Sequence, residues 1–315
     1  MSTQAENDEL AKAYEFLKKS QLAKASEILS EALQDDLENN EILYTLKGIN
    51  YWNQKLSRLR DLETPYDQGE SIVSHWKEFT ETMSQGNLYF ERSMYAIRQG
   101  IFSLACDCYE EMINNSGKVQ PSPDLYRKIG LCHKKLGDYE IALKYLEKAN
   151  SMAKDSAAIL AEMADCYALC GEERTAKVLF REAFFIDAQK VDLSMLDSEL
   201  ICCLIKQTEQ LGYSGAVLHE WIPVYGVLYG VFSVKRELRA IEIGKLKQAI
   251  FVLYNSLNDE RTSESDRALI EPRLINHYFW QIDQYIITNE SRAKIQEVLR
   301  RIRILNPTIY EEYLK

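Results

Sequence analysis

A repeat of 34 residues constrains this sequence more than any other feature. Positions between Tyr126 and Ala149 recur 34 residues later with side chains of similar size at nearly every step. The recurring pairs are Tyr126 and Leu160, Ile129 and Met163, Gly130 and Ala164, His133 and Tyr167, Gly137 and Gly171, Tyr139 and Glu173, Ala142 and Ala176, Leu146 and Phe180, and Ala149 and Ala183. Self-similarity at a fixed period of this length is typical of an array of similar supersecondary units.

The small residues in each copy fit two antiparallel helices that cross closely. Gly130 in the first helix and Ala142 in the second allow the two backbones to approach, and large side chains one turn away fill the space beside them. Gly137 lies where the first helix must end, a position that favours the left-handed backbone of glycine. Asp138 then begins the second helix as an acidic N-terminal residue. The pattern therefore predicts helix–turn–helix units.

This combination of large, small, turn-glycine, alanine and aromatic positions resembles the tetratricopeptide repeat, which has this period. The resemblance implies an all-α fold, a right-handed superhelical α-solenoid of about seven helix–turn–helix repeats. It is strongest over residues 123–190 and weaker elsewhere. In two weaker copies, which include residues 86–112 and the segment after 240, Gly100 and Gly244 are expected at the turn.

We expect three segments, with a lengthened second repeat in the first. They are 1–122, which contains a long helical hairpin at about 54–84; 123–190, which holds the two well-matched repeats; and 191–315, which holds degenerate repeats and a capping helix at 308–315. An apolar stripe of Ile72, Trp76, Phe79 and Met83 marks the returning helix of the hairpin. The sequence leaves open whether this hairpin projects or fills the inner groove.

Composition and charge exclude several classes of protein. Glycine and proline are scarce, 13 and 6 in 315 residues, which favours long helices. The formal net charge of −10 opposes nucleic-acid binding, which relies on lysine and arginine. The uncharged stretch from Trp221 to Val234 is shorter than the ~20 residues of a membrane span. The N-terminal residues lack a signal-peptide pattern, so we expect a cytoplasmic protein. We also expect either a monomer or a weak homodimer.

The resemblance also implies a concave face that binds a protein or peptide partner. Its apolar and aromatic candidates in the first three repeats are Leu10, Tyr14, Leu17, Ile42, Ile49, Trp52, Phe90, Met94 and Ile97. A locally basic patch in the fourth repeat contains Arg127, Lys134 and Lys135. Apolar patches rimmed by charge are typical partner sites. The alternative is that these side chains pack against the inserted hairpin or within a tight superhelix.

The cysteines and histidines suggest no chemistry by spacing alone. A zinc site formed by Cys132, His133, Cys166 and Cys170 is conceivable, but these residues occupy repeat positions that core packing explains. Cys106 lacks a second ligand pair at a useful spacing. We therefore expect no catalytic residues, metal or cofactor, and a non-enzymatic scaffold or adaptor. A second hypothesis is a ligand- or peptide-sensing regulator that changes curvature on binding, and a third is an enzyme with its site between 191 and 260.

Overall fold

The computed structural model describes residues 2–85, 88–115 and 120–315, and within these ranges it contains helices and no strands. The prediction of an all-α fold is confirmed. Consecutive helices pack against their neighbours, as in a helical repeat protein. The first seven helices are α1 (Ser2–Lys18), α2 (Leu22–Asp35), α3 (Asn40–Ser57), α4 (Pro65–Ser84), α5 (Glu91–Asn115), α6 (Pro123–Leu136) and α7 (Tyr139–Met152).

The chain divides into two compact units, Met1–Met152 and Ala153–Lys315. The boundary falls between the two well-matched repeats, inside the segment 123–190 that the sequence joins together. The second unit contains α8 (Ala157–Leu169), α9 (Glu173–Asp187), α10 (Glu199–Gln210), α11 (Gly215–Leu228), α12 (Ala240–Asn258), α13 (Glu264–Ile287), α14 (Arg292–Leu305) and α15 (Pro307–Tyr313).

The two well-matched repeats form the helix pairs α6–α7 and α8–α9. Gly137 and Gly171 end the first helix of each pair with φ angles of 89° and 83°, the left-handed conformation expected at these positions. Gly130 lies at the crossing of α6 and α7, because a Cβ atom there would be 2.7 Å from Cγ of Leu146. The period of the sequence thus predicted both turns and the close contact within the first pair.

Two other glycines do not form the turns expected of them. Gly100 lies inside α5, a single helix of 25 residues, and Gly244 lies inside α12. Gly100 faces the end of α1, where Ser20 Oγ donates a hydrogen bond of 2.8 Å to the Gly100 carbonyl. A close helix approach, and not a turn, therefore explains this glycine. Residues 86 and 87, at the start of this expected copy, lie outside the described residues.

The inserted hairpin folds back onto the core of the first unit. α3 ends at Ser57, and α4 begins after Thr64, whose Oγ1 accepts a hydrogen bond of 3.1 Å from the Asp67 N–H. The predicted stripe of α4 is buried, and Trp76 stacks on Trp52 of α3 with ring centroids 6.2 Å apart. The returning helix α4 therefore packs against α3.

The second unit ends in a short helix, α15, over the residues where the sequence predicts a capping helix. In α15, the ring of Tyr313 stacks on Phe279 of α13 with centroids 4.7 Å apart and an interplanar angle of 13°. Terminal repeats need such a cover because they have no following neighbour. Across the part of the chain that the structure describes, no helix combines the length and the apolar character that a membrane span requires.

Candidate functional site

The apolar residues expected on an open concave face lie in the core of the first unit. Eight of them expose at most 8% of their surface, and Phe90 is partly buried. The eight are Leu10, Tyr14, Leu17, Ile42, Ile49, Trp52, Met94 and Ile97. Their accessible area is too small to receive a partner in this conformation. The alternative, in which they pack within the protein and against the hairpin, describes their positions.

Hydrogen bonds at the meeting point of α1, α3 and α5 show how closely this core is packed. The Tyr14 hydroxyl donates to Glu41 Oε1 at 2.6 Å and lies 2.9 Å from Ser93 Oγ. Ser93 Oγ is in turn 2.7 Å from Thr45 Oγ1. Buried hydroxyls need such partners, and here each one finds them on a neighbouring helix.

The expected basic patch of the fourth repeat offers little exposed charge. Lys134 and Lys135 are buried, each with 2% of its surface exposed. Arg127 donates two hydrogen bonds to Asp124 Oδ1, at 3.0 and 2.8 Å. Tyr66 donates to the other oxygen of that carboxylate at 2.7 Å. These contacts give Arg127 a structural role within the first unit.

An open cleft with apolar walls lies in the second unit instead. It consists of two adjoining cavities, about 510 and 370 Å³ in volume, that share residues of α9, α12 and α13. We call it the α9–α12 cleft. Both cavities are lined by Phe185, Ile186, Lys245, Ala249 and His277. Volumes of 300–1,000 Å³ are usual for sites that bind small molecules or peptide side chains.

The cleft exists because α12 carries more apolar surface than one neighbour can cover. One stripe of this helix belongs to the core, and Leu246 and Ile250 are its buried members. Ile241 and Val252 line the cleft and remain 75% and 53% exposed. A surface helix usually has a single apolar stripe facing the core. The additional apolar residues of α12 are thus available to another molecule.

The floor of the cleft holds a buried histidine and an ion pair whose carboxylate is buried. The Nδ1–H of His277 donates to the Arg273 carbonyl at 2.7 Å, and burial lowers the pKa of this imidazole. The Arg273 guanidinium donates to Glu220 Oε2 at 3.1 Å. Gln189 Nε2 donates to the Oε1 of the same carboxylate at 2.8 Å. Glu220 therefore has partners on both oxygens.

The charges at the other end of the cleft differ in how they are paired. Arg239 and Arg236 both donate to Glu242, and these hydrogen bonds lower the pKa of its carboxyl. Arg236 also binds Glu182 at 2.8 Å. Within the described ranges, the amine of Lys245 makes no hydrogen bond or ion pair, and its side chain is exposed. This cation is thus placed to meet an acidic group.

The repeat pattern does not predict this cleft, because α12 departs from that pattern. A signal was present, however. Residues 241, 251 and 252 are large and apolar, and they fall outside the stripe of Leu246 and Ile250. Two apolar faces on one helix predict that the second face is either covered by another part of the protein or free to bind a partner. Which of the two applies depends on the neighbouring helices.

A second group of chemically active side chains lies in the first unit. Cys106 Sγ of α5 is 3.7 Å from His133 Nε2 of α6. Hydrogen bonds from Cys132 and from His133 lower the pKa of the Cys106 thiol to about 6, although its burial opposes this shift. The same contact raises the pKa of His133. Sequence motifs do not predict this group, because Cys106 and His133 are 27 residues apart and match no metal or catalytic motif.

Comparison with known proteins adds no family to these observations. No protein-family profile matches the chain, and no curated protein is significantly similar to it.

Proposed function

We propose that this protein is a non-enzymatic scaffold that binds a segment of another protein in the α9–α12 cleft. The observation that carries the proposal is the exposure of large apolar side chains beside an open cavity, at Ile186, Ile241 and Val252. Such surfaces mark interaction sites when they are rimmed by polar groups. This location replaces the one expected in the first three repeats, where the corresponding side chains are buried.

The partner segment would be amphipathic, with apolar side chains at helical or extended spacing and an acidic group. Its apolar side chains would enter the two cavities, and its acidic group would pair with Lys245. An apolar segment laid in a groove is a recurring mode of recognition. Because Arg239 and Arg273 already bind carboxylates of the protein, Lys245 is the cation that a partner would meet first.

The resemblance to the tetratricopeptide repeat also implies a repeat type and a superhelical path. We propose that the helix pairs are tetratricopeptide-type repeats that follow a right-handed superhelical path. The turn glycines at 137 and 171 and the spacing of 34 residues support this assignment. A cytoplasmic location, the absence of nucleic-acid binding, and a monomer or weak homodimer are also parts of the proposal.

Site-specific photo-crosslinking tests the cleft. A photoreactive phenylalanine analogue at Ile241 or Val252 should capture a defined partner from native lysate. The same analogue at Ile304, which is 83% exposed and outside the cleft, should not. Capture at position 241 should also be lost when Lys245→Glu is added. Equal capture at all three positions, or none at the cleft positions, would contradict the proposal.

The volume of the cavities also supports a second candidate function, a regulator that senses a small ligand or short peptide. Two cavities of about 510 and 370 Å³ suit a compact ligand that contacts His277 and Lys245. A saturable rise in the thermal midpoint with a small acidic, apolar compound would favour this function. Crosslinking to a protein partner without such a response would favour the scaffold.

A further inference from the structure

Three side chains with metal-binding atoms converge where α5 packs against α6 in the first unit. They are Cys106 and Glu110 of α5 and His133 of α6. One ligand atom from each lies within 4.8 Å of the other two. Cys106 and Glu110 are four residues apart and so lie on the same face of their helix. The cluster is independent of the α9–α12 cleft, which lies in the other unit.

We propose that Cys106, Glu110 and His133 form a zinc-binding site that joins α5 to α6. Thiolate, imidazole and carboxylate are the three side-chain types that bind Zn²⁺ in proteins. A mixed set of sulfur, nitrogen and oxygen donors suits this metal better than Mg²⁺ or Ca²⁺, which prefer oxygen ligands. The proposal reverses the expectation from the sequence, which assigned no metal site.

The two distances from His133 to the other ligand atoms are close to those around a tetrahedral ion. With Zn–S of about 2.3 Å and Zn–N or Zn–O of about 2.0–2.2 Å, neighbouring ligands of a tetrahedron are roughly 3.4–3.6 Å apart. His133 Nε2 is 3.7 Å from Cys106 Sγ and 3.6 Å from Glu110 Oε1. Small rotations of these side chains would therefore complete the geometry. The Glu110 side chain is 41% exposed, so its carboxylate has room to rotate.

The surroundings of His133 hold its ring in the orientation that such a site needs. The ring stacks on Tyr145 with centroids 5.5 Å apart and an interplanar angle of 9°. Its second nitrogen, Nδ1, is buried and has no hydrogen-bond partner among the described residues. The nearest carboxylate oxygen, Asp138 Oδ2, lies 3.7 Å away. Metal-binding histidines usually donate their other N–H to such a carboxylate, which fixes the ring.

The proposed site is largely buried but can still be reached from the solvent. Cys106 is 5% exposed, and the His133 side chain is 14% exposed, so the sulfur and nitrogen ligands lie beneath the surface. Glu110 lies at the surface and leaves an entry path for the ion. Three protein ligands leave one tetrahedral position for water. The bound ion would fasten two helices that otherwise meet through side-chain packing.

Metal titration of the reduced full-length protein tests this site. After metals have been removed with a chelator, calorimetry should show that Zn²⁺ alone binds with high affinity and a stoichiometry of one ion per chain. Co²⁺ as a probe should give thiolate-to-metal charge-transfer absorption, which reports sulfur ligation without any mutation. The thermal midpoint should rise with Zn²⁺ concentration, because an ion that binds the native state stabilises it.

Matched variants on the same helix identify the ligands. Cys106→Ser should weaken Zn²⁺ binding by more than the roughly 10–100-fold that loss of an outer-shell partner costs, and Glu110→Gln should weaken it by about tenfold or more. Cys108→Ser and Glu111→Gln, their neighbours on α5, should leave the affinity unchanged. Far-UV circular dichroism shows whether each variant keeps its helices.

Two results would overturn the proposal. One is the absence of stoichiometric Zn²⁺ binding and of sulfur-to-cobalt absorption in the unmutated protein. The other is tight binding that survives Cys106→Ser, which would assign the metal to another group of thiols. Because the unmutated protein is measured directly, a variant that fails to fold does not leave the site untested.

Discussion

Gly100 of α5 contacts the backbone of Leu17 at the end of α1. A Cβ atom built on Gly100 would lie 2.0 Å from the Leu17 carbonyl oxygen and 3.1 Å from its carbonyl carbon. Because the obstructing atoms belong to the backbone, no side-chain rotation can relieve the clash. The glycine thus sets how closely two helices of the first unit approach each other.

Gly100→Ala should therefore destabilise the first unit, although alanine is the better helix former by about 1 kcal/mol. We expect a loss of ~1–3 kcal/mol in the free energy of unfolding, which is usual when a packed site receives an extra methyl group. Gly244→Ala is the matched control, since Gly244 is also inside a helix and has no neighbour within 4 Å of the added atom. The control should be neutral or slightly stabilising. Urea unfolding followed by circular dichroism measures both, and equal midpoints would contradict the packing at Gly100.

Trp52→Ala should lower the free energy of unfolding of the first unit. Trp52 is fully buried and packs against Trp76 and Phe79, with ring centroids 6.2 and 5.4 Å away. Removing a large aromatic side chain from a core costs about 3–5 kcal/mol. Leu37→Ala serves as the control, because Leu37 is 73% exposed. A Trp52→Ala protein with an unchanged unfolding midpoint would restore the interpretation of this residue as part of an open face.

Breaking the ion pair between Arg181 and Asp283 should lower the free energy of unfolding far more than breaking a surface pair. Their side chains are 3% and 7% exposed, and Lys235 also binds Asp283, at 2.7 Å. Asp283→Asn would leave the buried Arg181 without an anionic partner, which costs about 3–5 kcal/mol in comparable cases. Glu297→Gln removes the partner of the half-exposed Arg301 and should cost less than about 1 kcal/mol. Chemical denaturation of both variants tests this difference, and similar losses would contradict it.

His277 should make the second unit less stable in mild acid. Burial lowers the pKa of its imidazole in the folded state relative to the ordinary value of 6.5. Between these two pKa values the unfolded chain binds more protons, so the free energy of unfolding falls as the pH drops below about 6.5. The stabilising contribution is complete above that pH.

Thermal unfolding of the unmutated protein and of His277→Gln between pH 7.5 and 5 measures this effect. The variant should be less stable at neutral pH, because it disrupts the floor of the cleft, and its stability should depend less on pH. Arg273 and Glu220 contact the same region and remain in both proteins, so the difference isolates the imidazole. Identical pH dependence of the two midpoints would refute the assignment.

Local patterns in the sequence predicted much of the fold. The helix pairs at 123–190, the turn glycines at 137 and 171, the buried stripe of α4 and the capping helix α15 all follow from spacing along the chain. These features depend on residues within one or two helices. Periodicity and backbone preference are therefore sufficient to place them.

The candidate sites could not be predicted in the same way. The residues expected on a concave face have the spacing of a repeat surface, but they are packed inside the protein, Trp52 against α4 and Tyr14 against α5. Conversely, α12 exposes apolar residues because only part of its surface is covered by α13. Whether an apolar face is core or surface depends on which other helices reach it, and the repeat frame does not contain that information.

The sequence by itself determined that the chain forms helices, where the best-matched pairs turn, that a small residue belongs at 130, and that glycine is favoured at 137 and 171. Tertiary structure alone decided what lies against each helix. Gly100 contacts Ser20, which is 80 positions away in the sequence, and Cys106 contacts His133, which is 27 positions away. Helix formation depends on interactions within a few residues, whereas burial, clefts and ligand clusters depend on distant segments that only the folded chain brings together.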